Sequence, residues 1–145
     1  MSKVEQAVSC FEKGFVCSQA LLSTYGTRLG LDPVIALKMA DGFGGGMARM
    51  GETCGAVTGA FMVIGLKYGR TVLEDTEAHE KTYSLVREFI HQFKSRNGSI
   101  MCRELIGCDI STTEGLHTAR EKKLFTSICP KYVRDAAEII ENILR

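Results

Sequence analysis

The sequence has no tryptophan, only two prolines and almost no net charge, formally +1. Near-neutrality gives no electrostatic reason to expect nucleic acid or an anionic membrane as partner. No uncharged run is longer than Thr53 to Leu66. That run is too short to span a bilayer and suits a buried helix instead, so no membrane insertion is expected. The opening residues, Met1-Ser2-Lys3-Val4-Glu5-Gln6, lack the apolar centre of a signal peptide, which predicts a cytoplasmic protein. No stretch alternates with period two for long enough to make a strand. No Cys-x-x-Cys pair occurs, which removes the zinc-ribbon and thioredoxin-type signatures.

Against these absences stand six cysteines in 145 residues: Cys10, Cys17, Cys54, Cys102, Cys108 and Cys129. The length suggests a single domain with a core large enough to fold unaided. A reducing compartment disfavours structural disulfides, so such cysteines are metal ligands, redox groups or small core residues. Without paired motifs, any shared site must be assembled from distant segments.

Helical periodicity runs through the chain. Val4, Ala7, Val8, Phe11 and Phe15 form a first stripe, with Gly14 as its stop. A second helix is expected from near Val16, with Cys17, Ala20, Leu21 and Tyr25 inward, so that Cys17 is a mid-helix residue. Asp32-Pro33 opens a third. The run Gly42-Phe43-Gly44-Gly45-Gly46 reads as a hinge or close-packed turn in preference to an anion cradle, since it matches no phosphate-binding fingerprint. The Cys54 helix follows, closed by Gly65 and Gly69. Gly55 and Gly59, with Ala56 and Ala60 beside them, give it a face of small side chains that another backbone can approach. That face suits either internal packing or a homodimer. Asp75 opens the longest helix, which Asn97-Gly98 stops. Ser99 is expected to cap a short helix through Ile106. Ser111-Thr112-Thr113-Glu114 offers a capping box for a helix to about Phe125. Val133, Ala136, Ala137, Ile140, Ile143 and Leu144 make a last amphipathic helix after Cys129-Pro130. The expected fold is all-α, a compact bundle of about seven or eight helices.

Cys54, Cys102 and Cys129 each fall at an expected helix start, Cys129 as N-cap. Unpaired N–H groups and the helix dipole stabilise a thiolate there, and thiol pKa values fall to ~3.5–7.5 in such settings. Cys17 is the natural fourth member. Cys10 and Cys108 read as ordinary small side chains, Cys108 disfavoured as a thiolate by the charge of Asp109. His79 and His91 read as solvated, and His117 is isolated. Met39, Met47, Met50 and Met62 read as gap-filling core.

The order Cys17-Ser18-Gln19-Ala20, the glycine run, Cys54-Gly55-Ala56-x-x-Gly59-Ala60, Cys102-Arg103-Glu104-Leu105 and Cys129-Pro130 resembles the redox-active C_GCAxxG_C_C protein family. Thr53 stands where the family label has glycine, while Cys10 and Cys108 lie outside the signature. The resemblance implies redox-active or metal-binding thiols at Cys17, Cys54, Cys102 and Cys129. A similar domain accompanies an iron–sulfur centre within some multihaem electron-transfer proteins. No Cys-x-x-Cys-His occurs here, so covalent haem is not expected.

Three readings remain open. In the first, Cys54 and either Cys102 or Cys129 cycle between dithiol and disulfide with a redox partner that the sequence does not name. In the second, Cys17, Cys54, Cys102 and Cys129 hold an iron–sulfur cluster or Zn²⁺. In the third, the thiols are buried packing groups of a helical interaction domain.

Overall fold

The computed structural model describes Met1–Arg145, and it is helical throughout, with no strand. Ten helical segments occur: α1 Lys3–Glu12, α2 Cys17–Gly26, α3 Pro33–Ala40, α4 Gly44–Met47, α5 Gly55–Tyr68, α6 Thr76–Asn97, α7 Cys102–Ile106, α8 Thr113–Glu121, α9 Leu124–Ser127 and α10 Cys129–Ile143. Eight of these have five residues or more, as the periodicity predicts; α4 and α9 are single turns.

Local chemistry sets the boundaries. Ser2, Asp32, Asp75 and Thr112 accept backbone N–H groups at the starts of α1, α3, α6 and α8. Gly98, at φ 81°, ends α6 in the left-handed conformation that glycine adopts without penalty. Three expectations shift. The helix after Ser99 begins only at Cys102: the Ser99 hydroxyl accepts from the Met101 N–H at 2.9 Å, and Met101 pairs with Thr53 in an isolated bridge. The helix after Ser111 stops at Glu121, because Lys123 turns left-handed at φ 57°. Phe15 lies beyond the end of α1 and is 41% exposed, so it does not continue the core stripe.

Helix α5 is the centre of the bundle. Its buried residues run round the whole helix, including Ala56, Val57, Ala60, Val63 and Ile64, as expected of an element enclosed by others. Helices α2, α6 and α10 pack around it, and α1 closes over α2 and α10. Phe89 and Phe93 of α6 stack at 6.0 Å between centroids, and Phe61 of α5 meets Phe89 edge-on at 5.9 Å.

The small-residue face of α5 is used inside the chain. A Cβ on Gly59 would sit 2.9 Å from both the Leu21 Cβ and the Ser18 carbonyl oxygen of α2. The face that suggested a homodimer is therefore covered by α2. The methionines also depart from the expectation: Met39, Met47 and Met50 are exposed and fill no core space. No helix is long and apolar enough to cross a membrane.

Candidate thiol site

Cys17 is the first residue of α2, not a mid-helix one. Its position is fixed from both sides. The Gln19 side chain accepts the Val16 N–H at 3.0 Å and donates to the Leu37 carbonyl at 3.0 Å, while Ser18 donates to the Ala40 carbonyl at 2.7 Å. These bonds tie the start of α2 to α3 and leave the Cys17 sulfur facing α5. There it rests against Gly55, where a Cβ would lie 2.5 Å from it. Close approach of a backbone to a sulfur is the reason for glycine at that position.

Cys54 is the N-cap of α5 and is buried. It lines the same cleft as Cys17, whose sulfur lies against the next residue, Gly55, and the two thiols influence one another's titration. The interaction between the two thiols is the largest of the influences on both groups, lowering Cys17 and raising Cys54. For Cys17, burial opposes the effect, but N–H groups of Ser18, Gly45 and Cys17 itself add to it, and the pKa falls to about 7. Burial and the neighbouring Cys17 charge push Cys54 further up. Of the two, Cys17 is the thiol that ionises more readily, and its charge keeps the proton on Cys54.

The Gly45 donor belongs to an unusual piece of backbone. From Gly45 to Arg49, five consecutive residues have φ between 53° and 66°, forming a left-handed turn. Three of them, Met47, Ala48 and Arg49, have side chains, and each costs roughly 1–2 kcal/mol in this conformation. The turn is held by Gly51 N–H to Gly45 O at 3.2 Å and Glu52 N–H to Gly46 O at 2.9 Å. Glycine is required at 46, where a Cβ would lie 2.6 Å from the Cys102 Cβ and 2.7 Å from the Glu52 backbone. The glycine run is thus the close-packed turn expected, and it also presents an N–H to an anion, the Cys17 thiolate.

The same turn brings in Cys102. Beyond it, residues 51–54 pair with 100–103, through Cys102 N–H to Glu52 O at 2.7 Å and Cys54 N–H to Ile100 O at 2.7 Å. Cys129 opens α10 as its first helical residue rather than its N-cap, since Ile128 precedes it in helical conformation. Tyr132, one turn along α10, donates to the Leu105 carbonyl of α7 at 2.6 Å and ties α10 to the helix that carries Cys102. Cys17, Cys54, Cys102 and Cys129 all line one cleft of about 720 Å³. All six thiols are free.

The four are chemically unequal. All begin helices, but helix position does not acidify Cys54, Cys102 or Cys129 as expected. Burial, with the Cys17 charge nearby, pushes Cys102 up to about 11. The same causes, with Cys102 added, push Cys129 up to about 12. Desolvation outweighs the dipole at these positions. No three Cys, His, Asp or Glu side chains are arranged to hold a metal ion.

Cys10 and Cys108 lie apart from this group. The Cys10 sulfur is 3.7 Å from the Ser23 hydroxyl, and Cys108 donates to the Gly115 carbonyl at 3.1 Å. The sequence does not reveal the Gly45 donor or the aromatic wall of the cleft, formed by Phe11, Phe15, Phe125 and Tyr132. Glycine at 45 is compatible with positive φ, but nothing in Met47-Ala48-Arg49 signals it.

The fold and the cleft define a class: an all-helical protein with four cysteines, each at a helix start, lining one cleft. Within that class the assignment is direct. Residues 15–143 match the sequence profile described as "Putative redox-active protein (C_GCAxxG_C_C)", and the chain belongs to that family. No curated protein and no solved structure gives a match.

Proposed function

We propose that the protein is a thiol–disulfide exchange protein in which Cys17 is the attacking thiolate and Cys54 the resolving thiol. The observation that carries this reading is the placement of the Cys17 sulfur against Gly55, the residue after Cys54, with both cysteines lining one cleft, and their opposite shifts, Cys17 lowered and Cys54 raised, agree with it. Cys17 has a pKa of about 7, close to the optimum for an attacking thiol near neutral pH.

The exchange balances in two steps. The Cys17 thiolate attacks one sulfur of a substrate disulfide, forms a mixed disulfide and expels the other half as a thiolate, which takes up a proton. Cys54 then loses its proton to solvent and attacks the Cys17 sulfur. The Cys17–Cys54 disulfide forms and the second half leaves as a thiol. The substrate gains two electrons, and the protein dithiol loses them. Return to the dithiol needs an external dithiol reductant. The pair differs from the sequence expectation, which joined Cys54 to Cys102 or Cys129.

The test is mild oxidation followed by mass spectrometry of unreduced peptides. A loss of two thiols and a Cys17–Cys54 linkage are expected, and Cys17→Ser should prevent both. Retention of all six thiols, or a linkage elsewhere, overturns the proposal. Anaerobic purification with iron, zinc and sulfide analysis tests the cluster alternative, which stoichiometric metal would support.

A further inference from the structure

Resting on that reading, we propose that the cleft selects a small zwitterionic disulfide, one formed by an amino-acid or short-peptide thiol, over a protein disulfide. Three observations point there. First, Cys17 lies on the wall of a concavity of about 720 Å³, within the ~300–1,000 Å³ that encloses small molecules. A protein partner instead needs a broad face, of about 800 Å² on each side.

Second, the cleft carries charges of both signs. Glu12, Asp41, Arg49 and Arg120 all line it and are exposed. None takes part in any of the ion pairs of the chain, which join other residues. Two carboxylates and two guanidiniums therefore remain free for a ligand. A ligand carrying both an ammonium and a carboxylate satisfies both kinds, whereas a singly charged one meets repulsion as well as attraction.

Third, much of the cleft's lining is apolar, with Phe125 and Tyr132 among its walls. It can cover the methylene and sulfur centre of such a disulfide while the charged ends stay at the mouth. Glutathione disulfide has this pattern, and serves as the probe.

The experiment measures how fast the reduced protein loses its Cys17 and Cys54 thiols to four oxidants. These are glutathione disulfide, neutral 2-hydroxyethyl disulfide, dicationic cystamine, and a folded protein with one exposed disulfide. Each rate is divided by that of free 2-mercaptoethanol with the same oxidant, which removes intrinsic reactivity. Glutathione disulfide should lead the normalised series. Exposed ion pairs each give up to ~1 kcal/mol, so its lead over the neutral disulfide should be about threefold to tenfold. In the double variant Arg49→Ala/Arg120→Ala, and separately in Glu12→Gln/Asp41→Asn, that lead should shrink toward unity. A flat normalised series, or one led by the protein disulfide or cystamine, overturns the inference while leaving Cys17–Cys54 exchange intact. Absence of any Cys17–Cys54 oxidation by all four overturns the parent reading instead.

Discussion

Replacing Cys54 by alanine removes the thiol that does most to hold the charge on Cys17, and the consequence can be worked through. With its pKa near 7, Cys17 is about half ionised at pH 7. A thiol at the ordinary value of ~8.5 is about 3% ionised there, roughly fifteenfold less. A more basic thiolate is also intrinsically more nucleophilic. With a Brønsted coefficient of ~0.45, a rise of ~1.5 units gives about fivefold per thiolate. The net expectation for Cys54→Ala is a rate with a neutral disulfide about threefold lower at pH 7 and about fivefold higher above pH 10. The two profiles should cross between. Cys54→Ser provides the control: its hydroxyl still donates, so the midpoint should remain near that of the wild type although no internal disulfide can form. The assay is the rate of mixed-disulfide formation at Cys17 against pH, followed by intact mass. An unchanged midpoint in Cys54→Ala would refute this account of the Cys17 charge. So would a low-pH midpoint that survives Cys17→Ala.

Other perturbations probe the scaffold. Gly59→Ala places a methyl 2.9 Å from Leu21 and Ser18 of α2 and should cost about 1–3 kcal/mol in denaturant titration, as overpacking does. Ala48→Gly relieves a left-handed alanine at φ 53° and should raise stability by up to ~1 kcal/mol. Phe89→Ala empties a fully buried aromatic site and should cost about 3–5 kcal/mol by the same measurement. Alkaline titration has a definite sign. Cys102 and Cys129 have folded pKa values raised to about 11 and about 12, so their contribution is complete below ~8.5 and lost as pH rises through 11 to 12. Cys17 acts oppositely, contributing above ~8.5 and losing that contribution as pH falls through about 7. The thermal midpoint should therefore drop above pH 9, and Cys102→Ala/Cys129→Ala should flatten that drop.

The helices were legible because capping and periodicity are local. Asp32-Pro33, Asp75 and Asn97-Gly98 mark α3 and α6 within a residue of their ends. The grouping of Cys17, Cys54, Cys102 and Cys129 was legible from the expected helix starts and, independently, from the resemblance to a family. Their inequality was not. Whether a helix-start thiol becomes acidic depends on the balance of N–H donors against burial, and burial is set by residues distant in sequence. Cys17 and Cys129 both open helices, yet Gly45 and Cys54 reach only the first. The left-handed turn escaped for a different reason: bonds from Gly51 and Glu52, themselves paired with residues 102 and 103, reach back to Gly45 and Gly46 and hold it, against the local preference of Met47, Ala48 and Arg49.

The distribution of the thiolate's partners along the chain has a consequence for the life of the molecule. Cys17 is made early in synthesis, but its acidity is borrowed from Gly45 and from Cys54, which the left-handed turn and the start of α5 supply later. The cleft above it closes only when α10, the last helix, brings Cys129 and Tyr132 into place. A nascent or unfolded chain carries six thiols of ordinary reactivity. The reactive one comes into being late, with the fold. Labelling of Cys17 in preference to the other five thiols at neutral pH is thus a clock for maturation: the selectivity of the chain, not its total reactivity, arrives with the fold.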